Sequence, residues 1–326
     1  MKKICITGAT GFLGGYLVEL FSKQGYKVIA FGRNEIKGQK LHKENVIFVK
    51  GYLENRDDVY KVIKGCDYVV HAGALSSAWG KPSDFYDSNV LGTKHVLKAC
   101  KHYKVKRMVF VSSPSIYTRP ENQVDVSEDQ VNMTSKLNYY IQTKIMAEKL
   151  VEKANGFEKV IIRPRGLFGI GDPSIIPRLL NVNRKVGLPL FNSGENLVDV
   201  TYVENVAHSI HLALKVEGID GQAYNITNGQ PLPFKTLLTM FIDEIGEEAK
   251  YLKLNYKLLF AVFSIVEHIY KKLGIQKEPI FTKYTLMTLG FSQTLSIEKA
   301  QKQLGYEPLY SIEEGVRIYG EWYKQQ

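Results

Sequence analysis

Six short runs rich in β-branched residues dominate the first half of the chain: Lys3–Thr7, Lys27–Phe31, Val46–Val49, Tyr68–His71, Arg107–Ser112 and Lys159–Arg163. Each is too short and too uniformly apolar for an amphipathic helix, and each predicts a strand buried on both faces. Between the first two runs, Leu13, Leu17, Leu20 and Phe21 recur at helical spacing, and Gly25 follows where a C-terminal cap belongs. Strand then helix, repeated, predicts a doubly wound α/β fold with a parallel sheet. After about Pro164 the rhythm changes. Glycine and proline punctuate 169–177 and 187–194, strand-like runs return at Leu197–Tyr202 and Ala223–Thr227, and from Leu232 to the closing Ser311–Tyr323 segment the pattern is mostly helical. This layout divides the chain into a sheet domain (1–165 plus 197–228) and a smaller, mostly helical lobe (166–196 plus 229–326). Ligands of such sheets bind beyond the carboxyl ends of the strands.

Composition narrows the class without changing the picture. With 326 residues, 44% hydrophobic and 23% charged, the chain is an ordinary globular one, which excludes disordered, collagen-like and disulfide-scaffold classes. Its three cysteines, Cys5, Cys66 and Cys100, are scattered with no CxxC, which points to a reducing, cytoplasmic setting and no metal site. The net charge of +10 can attract phosphates or an anionic surface but selects neither. The basic cluster Lys101–Arg107 complements a helix end before a strand, so no nucleic-acid partner is expected. The most apolar window, Leu258–Val266, is too short to span a bilayer. It has three readings: a helix buried between lobes or against a second copy, the wall of an apolar pocket, or a peripheral membrane contact through 258–269.

The first strand runs into Thr7-Gly8-Ala9-Thr10-Gly11-Phe12-Leu13-Gly14. Glycines at such a turn let the backbone approach a pyrophosphate, and the helix that follows offers free N–H groups and a positive dipole end. The GxxGxxG spacing between a strand and a helix therefore predicts a dinucleotide site. An acidic residue ending the second strand would bind a ribose 2′-hydroxyl, whereas an arginine accepts a 2′-phosphate. Here that strand ends Phe31-Gly32-Arg33-Asn34, so Arg33 favours NADP, with NAD as the alternative.

Tyr140 and Lys144 are four apart in Leu137–Lys153, which reads as a helix, so they share one face. A phenol ionises near pH 10 and is a poor acid or base at neutrality, and a neighbouring ammonium makes it a better one. Tyr139, the alternative, has Thr143 at that spacing, which carries no charge. Ser112-Ser113 follow a strand at its carboxyl end, where a hydroxyl can stabilise negative charge growing on a substrate oxygen.

These motifs occur in the order found in extended short-chain dehydrogenase/reductases, the NAD-dependent epimerase/dehydratase family, which the chain resembles over nearly its whole length. They are TGATGFLG, HAGA (71–74), NVLGT (89–93), VSSPSIY (111–117), YxxxK (140–144), RPRGLFGIGD (163–172), DVTYVEN (199–205), GQAYNITN (221–228) and LGYEP (304–308). The resemblance implies a Rossmann fold. It assigns Gly8, Thr10, Gly11, Phe12, Leu13, Gly14, His71, Ala72, Gly73 and Pro164 to the cofactor, together with Arg33. It makes Tyr140 the acid/base, Lys144 the residue that binds nicotinamide ribose and tunes it, and Ser113, four before Tyr117, the group that polarises the substrate oxygen. Two positions depart from the pattern: Tyr52 stands in the turn where an acidic residue usually reaches toward adenine, and HAGA replaces HxAA.

Nucleotide-sugar members carry an arginine where this chain has Val198, so a diphosphate would lose its bidentate partner. SSPS and NLVDVTYVEN instead resemble the hydroxysteroid-dehydrogenase-like branch, which includes 2-alkyl-3-oxoalkanoate reductases. The expectation is an NAD(P)-dependent oxidoreductase that interconverts a secondary alcohol and a ketone on an apolar small molecule, β-keto acyl or steroid-like, and works as a homodimer. The alternatives are a nucleotide-sugar epimerase or dehydratase with tightly bound NAD, and a dinucleotide-binding sensor without turnover.

Overall fold

The computed structural model describes residues 1–173, 175–279 and 281–326. Seven parallel strands form the central sheet: β1 (Lys3–Thr7), β2 (Lys27–Gly32), β3 (Val46–Lys50), β4 (Tyr68–His71), β5 (Arg107–Val111), β6 (Glu158–Pro164) and β7 (Ala223–Ile226). Their spatial order is β7-β6-β5-β4-β1-β2-β3. Strand order therefore reverses between β1 and β4, where Thr7 lies opposite His71, and this switch point opens a crevice at the strands' carboxyl ends.

Alternation along each strand feeds two cores. Ile4, Ile6, Val28, Ala30, Val109 and Val160 meet Leu17, Phe21, Val206 and Ile210 of helices Phe12–Lys23 and Val203–Lys215. Cys5, Ile29, Val69, Met108 and Ile161 meet Val59, Val96, Cys100, Ala147 and Val151 from three helices on the opposite face. All three cysteines are free and buried, and burial raises their thiols well out of the reactive range.

A third core unites Phe168, Leu180, Leu190 and Val198 with Phe234, Leu238, Phe241, Ile312 and Tyr319. A four-stranded sheet joins the two parts, in the order Leu232–Pro233, Leu197–Val198, Gln293–Leu295, Gln123–Val126. The single strand expected at Leu197–Tyr202 is thus two. Leu197–Val198 lies in that mixed sheet, while Thr201–Tyr202 pairs with Leu167–Phe168. Between them Asp199 turns inward and accepts the Leu295 N–H at 2.6 Å.

The apolar helix extends over Tyr256–Lys272, and among its described residues only Glu267 is buried. Leu258, Val262, Ile265 and Ile269 are 44–64% exposed, so in this chain by itself the segment is not a core helix. No helix among the described residues is long and apolar enough to cross a membrane.

Candidate functional site

Gly8 follows β1 with φ +72°, and a Cβ there would meet Gly73 Cα at 2.7 Å. A Cβ on Gly14 would lie 2.1 Å from the Gly8 carbonyl oxygen, so the helix can approach the turn only without side chains. The Gly11 N–H donates to Gly8 O at 2.8 Å and closes the turn. Gly11 caps helix Phe12–Lys23 without a side-chain partner, which leaves the first-turn N–H groups free for an anion.

A cleft of about 260 Å³ lies above this turn, walled by Gly8, Thr10, Gly11, Arg33, Ala72 and Gly73 among others. The glycine cradle and the uncapped helix start fit a dinucleotide pyrophosphate. Phe12 and Leu13 can offer only backbone N–H groups, because the Leu13 side chain is in the core. Arg33 is exposed at the mouth, and among the described residues it forms no ion pair. Glu35, two residues along the chain, is held by Lys50 at 2.8 Å. The cleft also includes Gly51, Leu53, Glu54 and Ser88, which the motifs did not single out. Tyr52 is exposed and donates its N–H to Asp58, so the carboxylate in this wall is Glu54, two residues beyond the turn where an acid was expected.

His71 and Pro164 are both buried, and neither is among the residues that wall this cleft. His71 Nδ1 is 2.7 Å from Thr7 Oγ1 and Nε2 is 3.0 Å from Thr93 Oγ1. Thr93 donates its own proton to Asn89 O and Thr7 Oγ1 accepts from the Gly73 N–H. The imidazole is therefore protonated on Nε2 and accepts from Thr7 at Nδ1. Burial, aided by the Lys144 ammonium, pushes it down to about 3, so it stays neutral. Its role is to tie β1 to β4 and to the π-helical turn Tyr86–Leu91, where Asn89 donates to Leu75 O and to Thr143 Oγ1. Thr143 precedes Lys144, so the glycine turn and the helix that carries Tyr140 and Lys144 share one hydrogen-bonded chain.

That helix spans Tyr139–Lys153 and is capped by Asn138, whose side chain accepts the Ile141 N–H at 2.8 Å. Tyr140 is partly exposed in its first turn, and its hydroxyl makes no hydrogen bond among the described residues. Lys144, one turn on, is 3% exposed. Its ammonium donates to Val111 O at 2.8 Å and lies 4.3 Å from the Phe110 ring centroid. Burial pushes it down to about 8, with Glu148 opposing. One ammonium proton is thus fixed by β5, and the other two make no hydrogen bond among the described residues. Of the three serines after β5, Ser112 and Ser115 are buried and only Ser113 is partly open, with its Oγ 2.9 Å from Ser115 Oγ.

Behind the helix lies a buried ion pair. Arg163 donates to both carboxylate oxygens of Glu148 at 3.0 and 2.7 Å, and to Tyr117 Oη and Glu128 O. Tyr117 donates on to Asn225 at 2.7 Å. The network bolts the helix that carries Tyr140 and Lys144 to β6 and β7. Two residues along, Arg165 is equally buried but its situation differs. It donates to the neutral Gln293 Oε1, and its Nε has no partner. Sequence reasoning passed over it because it lies within a glycine-rich motif with no partner nearby in the chain.

Residues 4–227 match the NAD dependent epimerase/dehydratase family. The chain is 33% identical over 323 residues to the 2-alkyl-3-oxoalkanoate reductase of Stenotrophomonas maltophilia, covering 97% of both chains. It is 33% identical to the sterol-4-alpha-carboxylate 3-dehydrogenase, decarboxylating, of Mus musculus, covering 97% of this chain and 89% of that one. Among solved structures, UDP-glucuronic acid 4-epimerase from Bacillus cereus in complex with UDP-glucuronic acid and NAD superposes with a TM-score of 0.78 at 24% identity, covering 99% of each chain, a likeness of fold. The chain belongs to the NAD dependent epimerase/dehydratase family and is an enzyme of the extended short-chain dehydrogenase/reductase type.

Proposed function

We propose that this enzyme interconverts a ketone and a secondary alcohol on a bulky apolar substrate, with NADP(H) preferred over NAD(H). The observation that carries the reading is the Tyr140 hydroxyl, partly exposed and without a hydrogen bond among the described residues, one helical turn before the buried Lys144 ammonium. A bound reduced nicotinamide supplies the hydride that the ketone carbon receives. Tyr140 gives its proton to the ketone oxygen, Ser113 donates a hydrogen bond to that oxygen, and Lys144 stabilises the phenolate left behind. In the oxidative direction Tyr140 takes the alcohol proton back. Gly8, Gly11 and Gly14 hold the pyrophosphate, and Arg33 meets the 2′-phosphate with a bidentate guanidinium.

Val198 counts against a nucleotide-sugar substrate. It is 9% exposed and packed in the third core, so no cation stands where sugar-nucleotide enzymes place their arginine. Both relatives cited above are named for oxidation or reduction at a carbon bearing oxygen. The test is NADPH turnover with 3-oxo acids, 3-ketosteroids and UDP-sugars, in wild type and Tyr140→Phe. Ketone turnover should fall by about 10³-fold in the variant while NADPH binding is retained. Undiminished turnover in Tyr140→Phe, or epimerisation of a UDP-sugar, overturns the assignment.

A further inference from the structure

We propose that Arg165 holds a carboxylate of the substrate, so that the site takes a 3-oxo acid rather than a neutral ketone. This rests on the reading that Tyr140 protonates a ketone oxygen.

Arg163 and Arg165 are separated by one residue at the carboxyl edge of β6 and are 2% and 8% exposed. Arg163 has a carboxylate partner, and Arg165 has none within 4 Å among the described residues. Its backbone is locked, with the N–H donating to Ile226 O at 3.0 Å and the carbonyl accepting from Thr201 Oγ1 at 2.5 Å. Its side chain bonds Gln293, whose own amide donates to Gln123 at 2.9 Å, so the relay behind it is neutral. The nearest acid is Asp199, which takes the Leu295 N–H instead, and burial raises it to about 6. A guanidinium removed from water without a counter-ion is unfavourable, and a ligand anion would relieve it.

A second unpaired donor stands two residues before Tyr140. Asn138 uses its Oδ1 to cap the catalytic helix, which leaves its buried Nδ2 without a partner. Asn138, Tyr139, Thr282 and Tyr284 line a pocket of about 120 Å³. The Tyr284 phenol, in the lining of this pocket, is close enough to both the Tyr140 phenol and the Arg165 guanidinium to feel each of them. In a 3-oxo acid the carboxylate is two bonds from the ketone carbon, so its anchor must lie close to the proton donor. The names of both relatives describe that arrangement: a 3-oxo group beside an alkanoate, and a 3-position beside a 4-carboxylate.

The experiment measures kcat/KM for 3-oxodecanoate and for its methyl ester with NADPH, in wild type, Arg165→Gln and Arg165→Lys, alongside denaturation midpoints. Wild type should prefer the acid by about 100-fold, Arg165→Gln should bring that ratio near one, and Arg165→Lys should restore part of it. Because the substitution removes an unpaired buried charge, the Arg165→Gln midpoint should equal or exceed that of wild type. A wild-type ratio near one, a preference kept in Arg165→Gln, or a large drop in its midpoint overturns the proposal. If wild type reduces neither compound, the parent reading fails and decanoate calorimetry decides this one separately. Binding at least 10-fold tighter to wild type than to Arg165→Gln supports it, and equal binding overturns it.

Discussion

The two sides of Tyr140 are built differently. Toward the glycine cleft, the polar groups of Thr7, His71, Thr93 and Asn89 are joined in one closed chain of hydrogen bonds. Toward the substrate side, Asn138 Nδ2 and Arg165 Nε are buried without partners, as is Ser112 Oγ at the end of β5. Among the described residues the remaining orphan, His211 Nε2, lies in the helix packed against Phe21, remote from the strands' carboxyl ends. The difference shows how the labour is divided. A cofactor common to many enzymes is recognised by backbone shape, which the protein completes by itself. A specific substrate is recognised by side-chain donors whose partners arrive with it, at some expense to stability.

The largest effect should come from breaking the paired side. Glu148 is 1% exposed, and Glu148→Gln leaves Arg163 a buried cation without its counter-ion. Urea denaturation should show a loss of about 3–5 kcal/mol, and an unchanged midpoint would mean that this network does not hold the catalytic helix.

Acid titration sharpens the comparison, because the two sides respond with opposite signs. His71 is held near 3 when folded and ionises near 6.5 when unfolded, so the unfolded chain binds the extra proton between those values. Stability from this group is whole above about 6.5 and falls by about 1.4 kcal/mol per pH unit below it. Asp199 is raised to about 6 from an unfolded value of 3.8, so here the folded chain binds the extra proton and stability rises as pH falls through that window. In wild type the two contributions nearly cancel between pH 6 and 4. Asp199→Asn should therefore steepen the loss over that range by about one proton, and superimposable curves would contradict these assignments.

A smaller effect concerns the cofactor's far end. Arg33→Glu should shift the NADPH:NADH ratio of kcat/KM by about 10–100-fold toward NADH, through loss of a charge-assisted pair at an exposed site. An unaltered ratio would remove Arg33 from phosphate recognition.

What the sequence disclosed follows the same division. β1, the glycine turn and the Tyr140–Lys144 pair are legible because their geometry is set by residues within one or two turns of chain. Phase and spacing suffice for them. Arg165 was not legible, because its meaning depends on Gln293, 128 residues away, and on Asp199, which a bend between two short strands turns inward. The partners of His71 were not legible for the same reason, since Thr7 and Thr93, 64 and 22 residues distant, take both of its nitrogens. The apolar periodicity of Tyr256–Lys272 is that of a core helix, and only the fold shows that the stripe through Leu258, Ile265 and Ile269 is left uncovered.

The most direct test of ketone reduction at Tyr140 is isotopic. Wild-type enzyme is given a 3-oxo acid and a 3-ketosteroid with NADPH deuterated at nicotinamide C4, each hydrogen face in turn, and the products are read by mass spectrometry and NMR. The account predicts one deuterium on the former ketone carbon, from one face only, and almost none when Tyr140→Phe replaces wild type in the same time. Product without deuterium at that carbon, or equal transfer from both faces, would contradict it.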